Sequence, residues 1–234
     1  MNQVTRLDNG TIELIFSIPW SDIQAAREKE IVKAVEETEI SGFRKGKAPR
    51  DIVEPKLDTN KLLTAALQSL LPTAYQAIAN AHKLKPVLYP HIKITKGQPN
   101  EDWEFIATTC EAPQVKLPPD YKSAIKNLEI KNANQKLTAI VDYLRQHSTL
   151  QIPHLLIEEE SNHRLGHLAE NLAQLSLDLP RYLQSKKMTT EDLRAQTASQ
   201  AKIDLEIEFI LETVRNGEQL PDRKKTLDFL ASLV

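Results

Sequence analysis

Cysteine is almost missing from this chain: the single Cys110 has no second thiol to pair with, so no internal disulfide can brace the fold. Aromatic residues make up only 5% and glycines number 6. That scarcity argues against a large sandwich or barrel with many tight turns and favours helices packed through leucine and alanine. Neither sign of charge is in excess. The 30 basic residues face 32 acidic ones, and the balance is even along the chain, 14 against 15 in residues 1–112 and 16 against 17 in residues 113–234. Bulk charge therefore predicts no affinity for nucleic acid or membrane, and any such contact has to come from a local cluster. No uninterrupted apolar run approaches the roughly 18 residues that a membrane-spanning helix needs. The opening MNQVTRLDNG lacks a basic stretch followed by an apolar one, so a soluble cytoplasmic protein is expected. Phosphate-binding glycine loops, nucleophile elbows and internal repeats are all missing.

What is present suits a folded chain: 41% apolar and 26% charged residues over 234 positions, enough for two modest domains. Residues 11–18, TIELIFSI, put Ile12, Leu14, Phe16 and Ile18 on one face of a half-buried strand. Asn9-Gly10 just before it signals a hairpin turn, with residues 3–7 as the partner strand. Ser21 is expected to cap a long helix whose buried stripe holds Ile23, Ala26, Ile31, Ala34 and Val35, ending at Ser41-Gly42. Residues 42–49 read as a loop, and Pro49 suits the start of a short helix. Thr59 or Asn60 is expected to cap another helix, from Lys61 to about Lys83, with Pro72 as its kink point. Two β-rich stretches, 87–95 and 103–111, predict a second hairpin.

The three prolines within residues 112–121 predict an extended, semi-rigid connector. Beyond it, helices are expected over 132–150, 155–177, a short stretch before Ser185, 190–216 and after Pro221. The expected fold is thus an α+β N-terminal domain of two hairpins and long helices over residues 1–112, a linker over 113–131, and an all-α domain over 132–234.

One stretch stands apart chemically. GFRKGKAP, residues 42–49, together with Arg50 gathers Arg44, Lys45, Lys47 and Arg50 within seven positions and no acid, in a chain of net charge -2. Glycines let the backbone turn sharply, and Phe43 offers an aromatic surface that a solvated loop has no packing reason to carry. The pattern suits contact with an anionic, partly apolar surface; a plain turn between helices with solvated charges is the competing reading.

Gly42, Phe43, Arg44, Gly46, Lys47 and Pro49 resemble the ribosome-binding signature of the trigger factor family, in which Gly-Phe-Arg, a variable residue, Gly-Lys, another variable residue and Pro follow in that order. The order of elements over residues 1 to about 130 is similar to that family's N-terminal domain. The resemblance implies docking beside the exit of the ribosomal tunnel, against a ribosomal protein and ribosomal RNA, with Phe43, Arg44 and Lys45 at the contact and Lys45 at a variable position. The segments starting at Ile152-Pro153 and Leu179-Pro180 are similar to the family's helical chaperone domain. In the family an isomerase domain of about 100 residues, a usual domain size, lies between the two parts. Here residues 146–151 pass straight to Ile152, so prolyl isomerase activity is not carried over.

The resemblance implies an ATP-independent chaperone, not an enzyme, that binds nascent or unfolded polypeptides and allows a homodimer off the ribosome. Leu165, Leu168, Leu172 and Leu175 have the helical spacing of a client-binding face, which is equally the spacing of an interhelical core. A binding or assembly factor dedicated to one protein, such as a ribosomal protein, is the alternative, and weak isomerisation a third reading. His163 and His167 share a helix face with Glu159, but HRLGH lacks the glutamate of the zinc protease motif. No metal site and no cofactor is expected.

Overall fold

The structure, a computed structural model, describes residues 3–129 and 135–234. The chain divides into two compact units, Met1–Leu7 with Ile12–Thr109, and Asp8–Thr11 with Cys110–Val234.

In the first unit β1 (Gln3–Arg6) and β2 (Thr11–Ile18) pair antiparallel with Val4 opposite Leu14. Ile12, Leu14, Phe16 and Ile18 all point into the core, as their alternation requires. Helix α1 (Trp20–Glu37) starts one residue before Ser21, on Pro19, whose fixed φ suits a helix entry. It stops at Thr38, short of the expected Ser41. A short α2 (Arg50–Val53) follows, then α3 (Thr59–Ala81), capped not by Thr59 or Asn60 but by the Asp58 carboxylate, which accepts from the Asn60 and Lys61 amides at 3.0 and 3.3 Å. Pro72 lies inside α3 without ending it.

The second hairpin is β3 (His91–Lys96) with β4 (Trp103–Cys110), antiparallel with a bulge between Ile94 and Lys96. Both hairpins join one sheet in the order β1-β2-β4-β3, a long-range pairing that no local pattern encodes. Phe16 of β2 stacks on Phe105 of β4 with ring centres 5.5 Å apart. Leu67, Tyr75, Ile78 and Ala79 of α3 close the same core.

The expected connector is different. Lys116 and Thr149 exchange backbone hydrogen bonds, both 2.9 Å. Helix α4 (Tyr121–Lys126) buries Tyr121 and Ile125 in the second unit's core. Prolines 113, 118 and 119 forbid helix only near their own positions, and the i,i+4 pair Tyr121 and Ile125 just beyond them is a helical signal. Residues 130 and 131 of the expected linker, and 132–134 of the expected helix, lie outside the described residues.

Helices α5 (Lys136–His147), α6 (His154–Gln174), α7 (Leu179–Lys186), α8 (Thr190–Gly217) and α9 (Arg223–Ser232) complete the second unit. Thr189 caps α8 through a reciprocal pairing with Asp192. Ile140 and Leu144 of α5, Ile210, Leu211 and Val214 of α8 and Leu230 of α9 form an aliphatic core. The molecule is thus an α+β unit followed by a helical one.

Candidate functional site

Residues 40–47 make two successive four-residue turns. The Phe43 amide donates to the Ile40 carbonyl at 3.0 Å, and the Lys47 amide to the Arg44 carbonyl at 2.9 Å. Gly42 and Gly46 each occupy the third position of their turn, with φ of 89° and 70°, where a turn of this kind demands positive φ. The four-residue spacing of the glycines therefore follows from two turns laid end to end. Gly46 is doubly required, because a Cβ there would lie 2.5 Å from the Glu36 carbonyl oxygen. Gly42 has open space around it, and only its φ selects glycine.

This backbone presents side chains without using them. Phe43 is 42% exposed and is not drawn into the core, and Arg44, Lys45 and Lys47 are exposed. Among the described residues none of the three cations makes an ion pair or side-chain hydrogen bond. The fourth cation of the sequence cluster behaves differently. Arg50 donates through both terminal nitrogens to the Glu28 carboxylate, its Nη2 at 2.8 Å from Oε2, and through Nε to Glu54 at 2.7 Å. Its charge is matched on the protein, so it belongs to the loop's anchorage and the free cationic set is Arg44, Lys45 and Lys47. The Arg50 hydrogen bond holds Glu28 below the ordinary carboxylate range, and the two carboxylates raise Arg50 still further. Glu54 is legible in the sequence as an i,i+4 partner; Glu28 is not. At the loop's far end Ala48 is buried, and Pro49, which opens α2, is exposed.

The four leucines expected on a client-binding face do not share one environment. Leu172 is 5% exposed and so belongs to the interior, and its carbonyl closes the end of α6 by accepting from the Leu177 amide at 2.9 Å. Leu165 and Leu168 are half-buried, and Leu175 is 69% exposed. Two leucines that periodicity missed, Leu177 and Leu179, are exposed beside it. Three leucines at alternate positions do not fit the period of one helix face, and that was the available signal. Ser176 turns the chain there with φ of 55°, in the hydrogen-bond pattern of a Schellman helix end.

His163 and His167 do meet, Nε2 to Nε2 at 3.0 Å, and His167 Nδ1 lies 3.3 Å from Glu170. Among the described residues no three His, Cys, Asp or Glu side chains are arranged to hold a metal. Cys110 is buried at the end of β4, and burial pushes its thiol up to about 11, far from a reactive thiolate. Among the described residues no helix is long and apolar enough to cross a membrane.

The family model described as "Bacterial trigger factor protein (TF)" matches residues 1–142, and the one for the C-terminus of that protein matches residues 121–221. The trigger factor of Staphylococcus aureus is 33% identical over 157 residues, covering 67% of this chain and 32% of the relative. That of Corynebacterium diphtheriae is 27% identical over 145 residues, covering 62% of this chain and 32% of the relative. The chain thus spans about a third of the length of these curated relatives. A solved structure described as "Promiscuous Substrate Recognition in Folding and Assembly Activities of the Trigger Factor Chaperone" aligns with a TM-score of 0.38 at 20% identity, over 60% of this chain and 33% of that one.

Proposed function

The chain belongs to the bacterial trigger factor family, and on that premise we propose that it is an ATP-independent chaperone that docks on the ribosome through residues 42–49 and shields nascent or unfolded polypeptides. The observation that carries the docking half is the loop's division of labour. Its backbone is held by turn hydrogen bonds and by glycines at positive φ, while Phe43, Arg44, Lys45 and Lys47 are left exposed and unmatched. A turn-braced cationic loop with an exposed aromatic ring suits a large anionic particle whose surface is part RNA and part protein. The address follows from the partner: such a chaperone works in the cytoplasm.

The client half rests on Leu175, Leu177 and Leu179, exposed apolar side chains on the α6–α7 turn of the helical unit. Apolar contact of this kind suits many sequences and holds none tightly. Prolyl isomerisation is not part of the proposal, which is supported by the two family matches meeting within residues 121–142 with no further domain between them.

Ribosome co-sedimentation tests the docking. The triple variant Phe43→Ala, Arg44→Ala, Lys45→Ala is expected to pellet at least about tenfold less than the wild type, with the wild-type interaction weakening steeply as salt rises. Equal pelleting would overturn it. For the client half, Leu175→Ser, Leu177→Ser and Leu179→Ser together should weaken suppression of aggregation of a denatured substrate protein while ribosome pelleting persists. A proline-peptide assay showing turnover above background would return isomerisation to the protein.

A further inference from the structure

The first unit also carries a groove, built on other residues than the 42–49 loop, with a volume of about 780 Å³. One wall is α3. Gln68, Pro72, Gln76 and Asn80, each four residues from the next, make an exposed row along it, and Leu71, Tyr75 and Ala79 make a more buried row beside the first. The other wall is drawn from Leu84, residues 86–90 and Ile92, at and before the start of β3, where Val87 is exposed and Tyr89 is 94% exposed. A tyrosine ring left so completely in water gains nothing for the fold.

Three properties of this groove define what fits it. First, none of its lining residues is charged, although 26% of the chain is, so the lining offers a charged occupant no opposite charge in exchange for water. Second, it carries unspent backbone-type hydrogen-bonding capacity. Pro72 has no N–H, so the Gln68 carbonyl has no helical donor four residues on. The side-chain amides of Gln68, Gln76 and Asn80 make no hydrogen bond among the described residues, and each offers both donor and acceptor atoms. Third, the polar row from Gln68 to Asn80 runs about 18 Å at the helical rise of 1.5 Å per residue, the length of about five or six extended residues.

We propose that this groove binds an extended, uncharged, apolar segment of an unfolded polypeptide, about five or six residues long. The segment's side chains lie against Leu71, Tyr75, Val87 and Tyr89, and its peptide groups meet the Gln68 carbonyl and the amide row. The occupant's identity as unfolded polypeptide rests on the chaperone reading, while the groove's preference for extended, uncharged chain rests on the lining alone. This puts a client contact in the first unit, in addition to the leucines of the helical unit.

The test uses the full chain and a fluorescein-labelled peptide with the core Leu-Val-Phe-Pro-Leu-Val between Gly-Ser flanks, read by fluorescence anisotropy. Tyr89→Ala and Gln76→Glu, both at exposed positions, are each expected to weaken binding at least about fivefold. Placing two glutamates in the peptide core should weaken it comparably. A benzophenone in the core should cross-link within residues 68–92. Wild-type affinity in both variants, no detectable binding of the apolar peptide, or cross-links confined to residues 135–234 would each overturn the inference. So would loss of a homodimer in Tyr89→Ala with peptide binding intact, which would assign the groove to a second copy of the chain. Ribosome pelleting of the two variants is expected to match the wild type. Failure of the wild type to pellet would sink the docking proposal and leave the peptide result standing.

Discussion

Both the loop at 40–47 and the turn at 175–179 reverse the chain through residues of positive φ, yet they use different residues to do it. The loop places glycine at both such positions, 42 and 46. The turn places Ser176, with φ of 55°, at the corresponding point of a helix end. The difference lies in the surroundings as much as in the dihedral. At Gly46 a side chain would run into the Glu36 carbonyl, so the position admits glycine only and the sharp turn of the cationic tip depends on it. At Ser176 a side chain is accepted at a modest energetic cost, and the leucines around it are specified only loosely. A single defined partner surface suits the first arrangement, and a range of unfolded chains suits the second.

Four substitutions sharpen or break that contrast. Gly46→Ala should have the largest effect. The left-handed dihedral and the backbone clash together are expected to cost more than about 2 kcal/mol locally, read as roughly thirtyfold faster hydrogen exchange of the Lys47 amide, and to abolish ribosome pelleting. Gly42→Ala meets nothing within 4 Å. It should cost about 1 kcal/mol through φ alone, so the Phe43 amide exchanges about fivefold faster and pelleting is only reduced. If the two alanines behave alike, the Glu36 contact is not what makes Gly46 indispensable. Ser176→Gly should act in the opposite direction, stabilising the helical unit by about 0.5 kcal/mol in urea titration, since relief of the left-handed strain outweighs the added freedom of the unfolded chain.

The smallest effect concerns the anchorage at Arg50. Glu28 is held below its ordinary 4.5 by the Arg50 hydrogen bond. A carboxylate depressed in the folded state contributes stability that is complete above its unfolded pKa and lost as pH falls through the folded one. The difference in urea midpoint between the wild type and Glu28→Gln should therefore be present at about pH 6 and disappear on acidification below Glu28's folded pKa. Both groups are well exposed, so the difference is small. A difference that persisted through strong acid would show that Glu28 acts through packing instead of charge.

Much of the fold is legible along the chain. Alternation of Ile12, Leu14, Phe16 and Ile18 marks β2, Asn9-Gly10 marks its turn, and the helical stripe of α3 survives Pro72. Local capping was less legible: Asp58, one residue before the expected cap, wins at α3 because a carboxylate accepts from two amides at once. The helical content of 113–129 was hidden by its prolines. Of the candidate site, the residue types and spacing of 42–49 were readable, but the separation of Arg50 from the other three cations was not, because its partner Glu28 lies 22 positions away. Leu172 shows the same limit in the other direction, since helical spacing put it with Leu175 although one is buried and the other, just past the end of α6, is exposed.

By itself the sequence determined what depends on neighbours a few residues apart: strands and helices through their apolar period, the two glycine turns through the positive φ that each demands, and the absence of nearby acid in the cationic tip. Tertiary structure alone decided what depends on distant partners. It joined two hairpins into one sheet, matched Arg50 to Glu28, buried Leu172 while leaving Leu175 in water, and set Leu84, residues 86–90 and Ile92 against α3 to make a groove with an uncharged lining. The physical reason is one of range. Dihedral preference and periodicity act within about a turn of the chain, whereas burial and charge matching are fixed only when segments far apart in sequence come into contact.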